Sequence, residues 1–184
     1  MDGNGTISNW SNDASHPYKV TVVAPVPPPT TKADCQNGNW NTFNSPSFRS
    51  KDQCVDYVVK HGHKASGDVT YTAYGLKRQA DFDVNTYDNS KGSFEYSDAN
   101  HGSYTVNVSA VNVSGNDAWF AGVVTKASTH SWVGQWLFAK VQNGSPDTIW
   151  GSFTDQTTAQ NGVASMTSPA DGPFNVTKGN VKVN

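Results

Sequence analysis

Five histidines, His16, His61, His63, His101 and His130, are the side chains of this sequence best suited to moving protons or binding a metal near neutral pH. They are scattered, and only His61 and His63 are close neighbours. In a strand that spacing would put both imidazoles on one face. At the end of a helix stopped by Gly62 it does not, and a histidine there interacts favourably with the helix dipole. Asp81 and Asp83 share one face of an expected strand, with Phe82 and Val84 on the other. Two carboxylates so placed suit calcium or acid–base work, yet the same alternation marks any half-buried strand. Neither Asp2–Asn4 nor Asp147 with Asp155 has a calcium-loop spacing. Glu95 is the one glutamate, so a glycosidase pair would need an aspartate to complete it. No GxSxG, SxxK or HExxH motif is present. The expectation is solvated polar positions with no catalytic residue, no metal and no cofactor, hence a protein that is not an enzyme.

The two cysteines, Cys35 and Cys54, lie nineteen positions apart without the paired spacing of a zinc site. His61 and His63 complete no standard two-cysteine, two-histidine pattern with them. A disulfide is expected over a metal site or free thiols. Closing a loop of this size stabilises a fold by roughly 3 kcal/mol in the chain-entropy model. Disulfides persist outside the reducing cytosol, so the expected location is secreted or on the cell surface. Met1 leads directly into the polar stretch Asp2–Gly5; if the protein is exported, its leader has been cut away.

Aromatic side chains are the more informative set. Trp119, Trp132, Trp136 and Trp150 fall in or beside adjacent expected strands, next to Phe120, Leu137, Phe138 and Ile149. Both faces of those strands therefore carry apolar groups. One must pack the core. The other is covered by the unit at residues 32–63, faces a partner, or forms a sugar-stacking platform. Cover by the 32–63 unit is the first expectation, because that unit must pack somewhere.

These residues need elements to hold them, and the composition points to strands. Only two leucines occur, while valine, threonine, serine, asparagine, glycine and aromatics abound. Expected strands are 68–74, 79–85, 92–97, 103–113, 117–126, 133–142, 148–154 and 180–183, joined by short turns rich in glycine, asparagine and serine. Such turns give an antiparallel meander of about eight strands, closed as a small barrel or folded as a sandwich. Apolar residues shift from Tyr104, Val106 and Val108 to Val111 and Val113, the signature of a β-bulge. Ser50 followed by Cys54, Val58 and His61, then Gly62, predicts a short helix on the N-terminal side of the meander, clamped by the disulfide. Residues 157–166 break the strand pattern and predict a helical turn or a loop over one end. Ahead of all this, residues 18–23 read as one strand, separated from residues 32–184 by a semi-rigid proline-rich spacer, so that 1–31 stand apart.

At 184 residues with 15% charged side chains and 19 kDa or more of aromatic-rich chain, the sequence can build one proper core. A net charge of −2 without a basic run argues against nucleic acid as partner. No segment has the roughly 20 apolar residues of a membrane span. Six Asn-x-Ser/Thr matches, at Asn4, Asn9, Asn107, Asn112, Asn143 and Asn175, follow from composition and imply no glycosylation.

The run Cys35-Gln-Asn-Gly-Asn-Trp40, with Phe43, Pro46, Phe48 and Lys51-Asp-Gln-Cys54-Val-Asp-Tyr57-Val58, resembles the cysteine motif of a family of uncharacterised secreted bacterial proteins. In that family a barrel-like segment often follows, to which 115–123, 147–149 and 179–183 are similar. The chain departs from the motif at Asn39, Arg49 and Asp52. The resemblance implies secretion and a β domain, with no known activity and no site residues.

Two functions fit these readings. The first is a non-catalytic extracellular structural or adhesion module. Its strand at Tyr18, Val20 and Val22 would join a neighbouring copy, or another surface protein, by strand addition into a filament. The second is a carbohydrate- or small-ligand-binding β domain, using exposed tryptophans or a barrel interior to hold a glycan.

Overall fold

The structure is a computed structural model that describes residues 6–8, 19–21, 24–88 and 90–184. Eight antiparallel strands form a closed barrel: β3 (Lys64–Ala73), β4 (Leu76–Asn85), β5 (Gly92–Asp98), β6 (Ser103–Ser114), β7 (Asp117–Ala127), β8 (Trp136–Gln142), β9 (Thr148–Thr154) and β10 (Phe174–Val183). Each pairs with its sequence neighbour, and β10 closes the ring against β3. Of the two architectures left open by the sequence, the barrel is the one formed. Two short strands, β1 (Thr6–Ser8) and β2 (Lys19–Thr21), pair antiparallel with each other.

Alternation along the strands divides inside from outside. Val69, Phe82, Phe94, Val106, Phe120, Val141, Ile149 and Val181 point inward and are almost wholly buried. Phe82 stacks with Phe94 and Phe120 at centroid distances of 6.4 and 5.9 Å, so the middle of the barrel is filled by side chains. Asp68, Asp81, Glu95 and Lys126 face outward on β3 to β7. An apolar interior under a charged outer face is the reverse of a membrane-crossing barrel. Among the described residues, no helix is long and apolar enough to cross a membrane.

The bulge expected in β6 is present. Val108 pairs with Gly122 and Ala110 with Ala121, leaving Ser109 as the extra residue; a second shift lies between Thr105 and Val106. Several strands are longer than the pattern suggested. β3 begins at Lys64 and β10 at Phe174, whereas β8 begins only at Trp136, after a 3-10 turn at His130–Trp132 and Gly134 at a φ of 88°.

Helix α1 (Lys51–His61) starts where expected. The Ser50 hydroxyl accepts a hydrogen bond from the Gln53 amide at 3.2 Å, and Gly62 ends the helix. Cys35 and Cys54 form a fully buried disulfide with Cα atoms 5.7 Å apart. Around it pack Val58, Trp40, Phe43, Phe48, Val55 and Tyr87, the last from the loop between β4 and β5. Lys32 joins the same loop through its amide to the Tyr87 carbonyl and through its ammonium to Asp88, both within 2.9 Å. The proline-rich stretch is held here as well: the Val26 amide donates to Asn44 and Pro29 is buried.

This location corrects one expectation. The 32–63 unit packs at the β4–β5 end of the barrel and does not cover the tryptophan-bearing face of β7 and β8. That face is covered by α2 (Gln156–Ser165), formed by the segment expected to hold a helical turn or loop. Asp155 caps α2 by accepting from the Thr158 amide and hydroxyl at 2.9 and 2.6 Å. Ala159 and Val163 lie against Trp119, Ala121 and Phe138, and Asn112 of β6 donates to the Val163 carbonyl at 3.2 Å. Small side chains bring α2 close enough to cover the outward aromatics, which the wider, disulfide-tied unit at the far end cannot reach.

Candidate functional site

The two ends of the barrel differ. At the disulfide end the inward positions are Ala65, Val84 and Val113; towards the other end they become Tyr71, Arg78, Tyr96, Asp98, Tyr104, Phe153 and Phe174. Residues able to hydrogen-bond thus replace aliphatic ones only at this mouth, whose rim is made by the β3–β4, β5–β6 and β7–β8 turns and by the segment between α2 and β10. A recess of about 240 Å³ opens there above a floor of Phe94, Leu137 and Ile149.

Its walls are largely aromatic. Tyr96 and Tyr104 stack at 4.6 Å with their planes 17° apart. Phe153 lies 5.2 Å from Tyr104, and Trp132 meets the same ring edge-on at 6.0 Å. On the opposite side Phe174 packs on Tyr71 at 6.0 Å and on Tyr74 at 5.6 Å. Tyr74 is 71% exposed and Phe153 39%, so the rim presents ring faces to solvent. Arg78 crosses the wall, its guanidinium 5.6 Å from the Tyr74 ring centre and 5.8 Å from that of Tyr96. Its Nε is buried and has no hydrogen-bond partner among the described residues.

Two carboxylates complete the polar set. Asp98 accepts from the Asn100 and Gly102 amides at 2.8 and 3.0 Å and from the Tyr96 hydroxyl at 3.1 Å. Burial alone would raise its pKa, but these donors and the Arg78 charge outweigh burial and hold the carboxyl below its ordinary value. Asp171 accepts from the Tyr74 hydroxyl at 2.9 Å, which keeps that phenol protonated beyond its usual range. Burial pushes Tyr71 up to about 12, against the opposing pull of Arg78. Tyr96 and Tyr104 are raised too, first by burial. The recess therefore sets phenols that stay neutral beyond their usual range beside the Arg78 guanidinium and the Asp98 and Asp171 side chains.

A second depression, about 560 Å³, runs between α2 and the end of β9. It shares Ser152, Phe153 and Asp171 with the recess, and beyond them is lined by Phe138, Gly162, Pro169 and Ala170 and by short polar side chains including Thr158, Asn161, Ser165 and Thr167.

Of the four tryptophans singled out by sequence, Trp132 stands in the recess wall. Trp150 borders it, but its ring lies on the outer face, 4.6 Å from the Lys140 ammonium. Trp119 is not an exposed platform: it is 6% exposed beneath α2, with Lys140 5.0 Å from its ring. Trp136 is half-buried against the same cluster. Lys140 itself is buried and pairs with Asp117 at 3.0 Å. Val20 sits opposite Ile7 in the β1–β2 pair, while Tyr18 and Val22 lie outside the described residues.

Asp81 and Asp83 point outward, Asp83 pairing with Lys64 at 2.7 Å. Asp81 falls in register between Asp68 and Glu95, a row of three carboxylates on neighbouring strands. Among the described residues, no group of histidine, cysteine or acidic side chains is arranged to hold a metal ion. His61 and His63 are exposed, and His61 stacks on Tyr57 at 4.1 Å.

The sequence reading passed over Arg78, Tyr71, Tyr96, Asp98, Tyr104 and Asp171. The signal for most of them was positional: each of the first five occupies an inward-facing place near the same end of its strand. Compared with protein-family models, with curated proteins and with solved structures, the chain matches none.

Proposed function

We propose that this protein is a non-catalytic carbohydrate-binding β-barrel of the secreted or cell-surface class, and that the mouth recess takes a single sugar ring. The observation that carries this reading is the recess itself, where flat aromatic faces surround two carboxylates and a guanidinium whose Nε has no partner among the described residues. Aromatic faces suit the C–H faces of a pyranose, and planar charged groups suit its hydroxyls. Ligand pockets commonly run from about 300 to 1,000 Å³, so a recess of about 240 Å³ fits one ring and not a lipid chain. The filled barrel below leaves no room for a longer apolar ligand. One guanidinium against two carboxylates also disfavours an anion. The buried disulfide supports the compartment, because such bonds persist in oxidising surroundings.

Strand addition finds less support. One edge of β2 is already paired with β1, and every strand of the closed barrel already has a neighbour on each side.

The test is a titration of tryptophan fluorescence and backbone amide shifts with glucose, galactose, mannose, xylose and N-acetylglucosamine. At least one sugar should perturb Trp132 and the amides of Tyr96 to Tyr104, and Arg78→Met should weaken it about tenfold or more without loss of fold. A panel that leaves every recess signal unmoved overturns the reading.

A further inference from the structure

We infer that the recess and the groove along α2 form one continuous site for the end of an unbranched, neutral oligosaccharide, with the terminal ring in the recess and the following rings beside α2. This rests on the carbohydrate reading above and adds the substrate's length, charge and orientation. The two depressions border each other at Ser152, Phe153 and Asp171, so one ligand lying over those residues can touch both. The recess is floored by Phe94, Leu137 and Ile149. A chain cannot run through it, and only a terminal ring enters.

The groove continues with a different chemistry. Its polar groups are short hydroxyls and amides, with Asp171 the one charge, and aromatic rings are confined to the junction and to Phe138. Such a surface exchanges hydrogen bonds with neutral hydroxyls and repels acidic sugars at its junction. From Thr158 to Ser165 the helix advances about 10 Å, roughly the length of two linked pyranose rings.

The experiment is calorimetric titration of the whole chain with glucose, xylose and N-acetylglucosamine series from one to six units. Affinity for the matching series should rise about tenfold or more from one unit to three and stay flat beyond. A soluble polymer of the same sugar should bind in proportion to its chain ends. Asn161→Trp, at an exposed position of α2 in the groove wall, should reduce trisaccharide affinity to the monosaccharide level and leave monosaccharide binding unchanged. Length-independent affinity with a silent Asn161→Trp overturns the inference while the recess reading stands. Polymer binding that scales with total units overturns end recognition. Preference for a uronic-acid oligomer or a peptide overturns the neutral-glycan assignment, and no binding of any sugar removes both readings.

Discussion

Gly162→Ala is the sharpest test of α2 as the cover of the outer aromatic face. In an isolated helix the change stabilises, because alanine is better than glycine by about 0.8–1 kcal/mol in a helix interior. Here a Cβ at position 162 would stand 2.6 Å from two atoms of the Phe138 ring. Phe138 is 5% exposed and is held among Trp119, Ala121 and Ala159, so its ring can retreat only by swinging towards the groove along α2 and giving up that packing. Forcing an extra methyl into such packing costs about 1–3 kcal/mol. The clash outweighs the propensity gain, and the net effect is a loss of about 1 kcal/mol. Urea denaturation followed by far-UV circular dichroism measures it, and a fall in melting temperature of about 2–4 °C should accompany it.

Phe138→Leu provides the control. A shorter side chain relieves the clash, so in that background Gly162→Ala should become stabilising, with a coupling of about 1–2 kcal/mol between the two sites. If Gly162→Ala stabilises the unmodified protein by the full helix-propensity amount, α2 does not press on Phe138 and the account of its docking fails.

Other perturbations probe the rest of the molecule. Asp81→Thr breaks the row Asp68–Asp81–Glu95, where like charges sit directly opposite one another. It should raise stability by about 0.5 kcal/mol at low salt, and the gain should shrink near 0.5 M salt. Replacing both cysteines by alanine should lower stability by roughly 3 kcal/mol while the barrel's near-ultraviolet spectrum persists; loss of the barrel signal would show that the clamp is needed for the fold. The raised tyrosines work in the alkaline direction. Their neutral forms are favoured by folding, so the stability they contribute is complete below the ordinary tyrosine pKa of 10.0 and is lost as pH rises through about 12 for Tyr71. Absorbance near 295 nm should accordingly show Tyr71, Tyr96 and Tyr104 un-ionised at about pH 11. Asp98 acts at the other extreme. Its lowered pKa makes its contribution complete above the unfolded value of 3.8 and lost as pH falls through the lower folded value, so Asp98→Asn should flatten the acid limb of the stability profile.

Strand order and most strand positions were legible because inward and outward residues alternate, and α1 because its cap, buried face and stop agree. Two features hid the barrel's closure. Lys178-Gly179-Asn180 reads as a turn, yet Gly179, at a φ of 90°, continues β10 opposite Val69 after a register shift past Thr177. Polar Lys64 and Ser66 with Gly67 obscured the start of β3, where glycine is required because the Phe82 ring and the Asn180 carbonyl crowd the site of a Cβ. Without those two half-strands the sheet has no seam, so barrel and sandwich look alike. The mouth was hidden for another reason. Tyr71, Arg78, Tyr96, Asp98 and Tyr104 are spread over four strands, and only the register brings them to one end. Asp171 lies in irregular chain, where periodicity carries no information.

The asymmetry between the two ends bears on function more than any single residue. At one end a buried disulfide, a capped helix and the Lys32–Asp88 bridge close the structure. At the other, an arginine is set into the barrel wall with its Nε buried and without a partner among the described residues. An unsatisfied buried donor costs about 1–3 kcal/mol, and a leucine at position 78 would avoid that cost while extending the apolar core. Arg78 packs its guanidinium on the Tyr74 and Tyr96 rings, but those contacts leave the Nε donor unused, and on the proposed reading a ligand hydroxyl that reaches it recovers on binding what the empty fold forgoes. Together with ring faces left open at Tyr74 and Phe153, this is what favours the proposed binding end opposite the disulfide, in residues that the cysteine motif does not include.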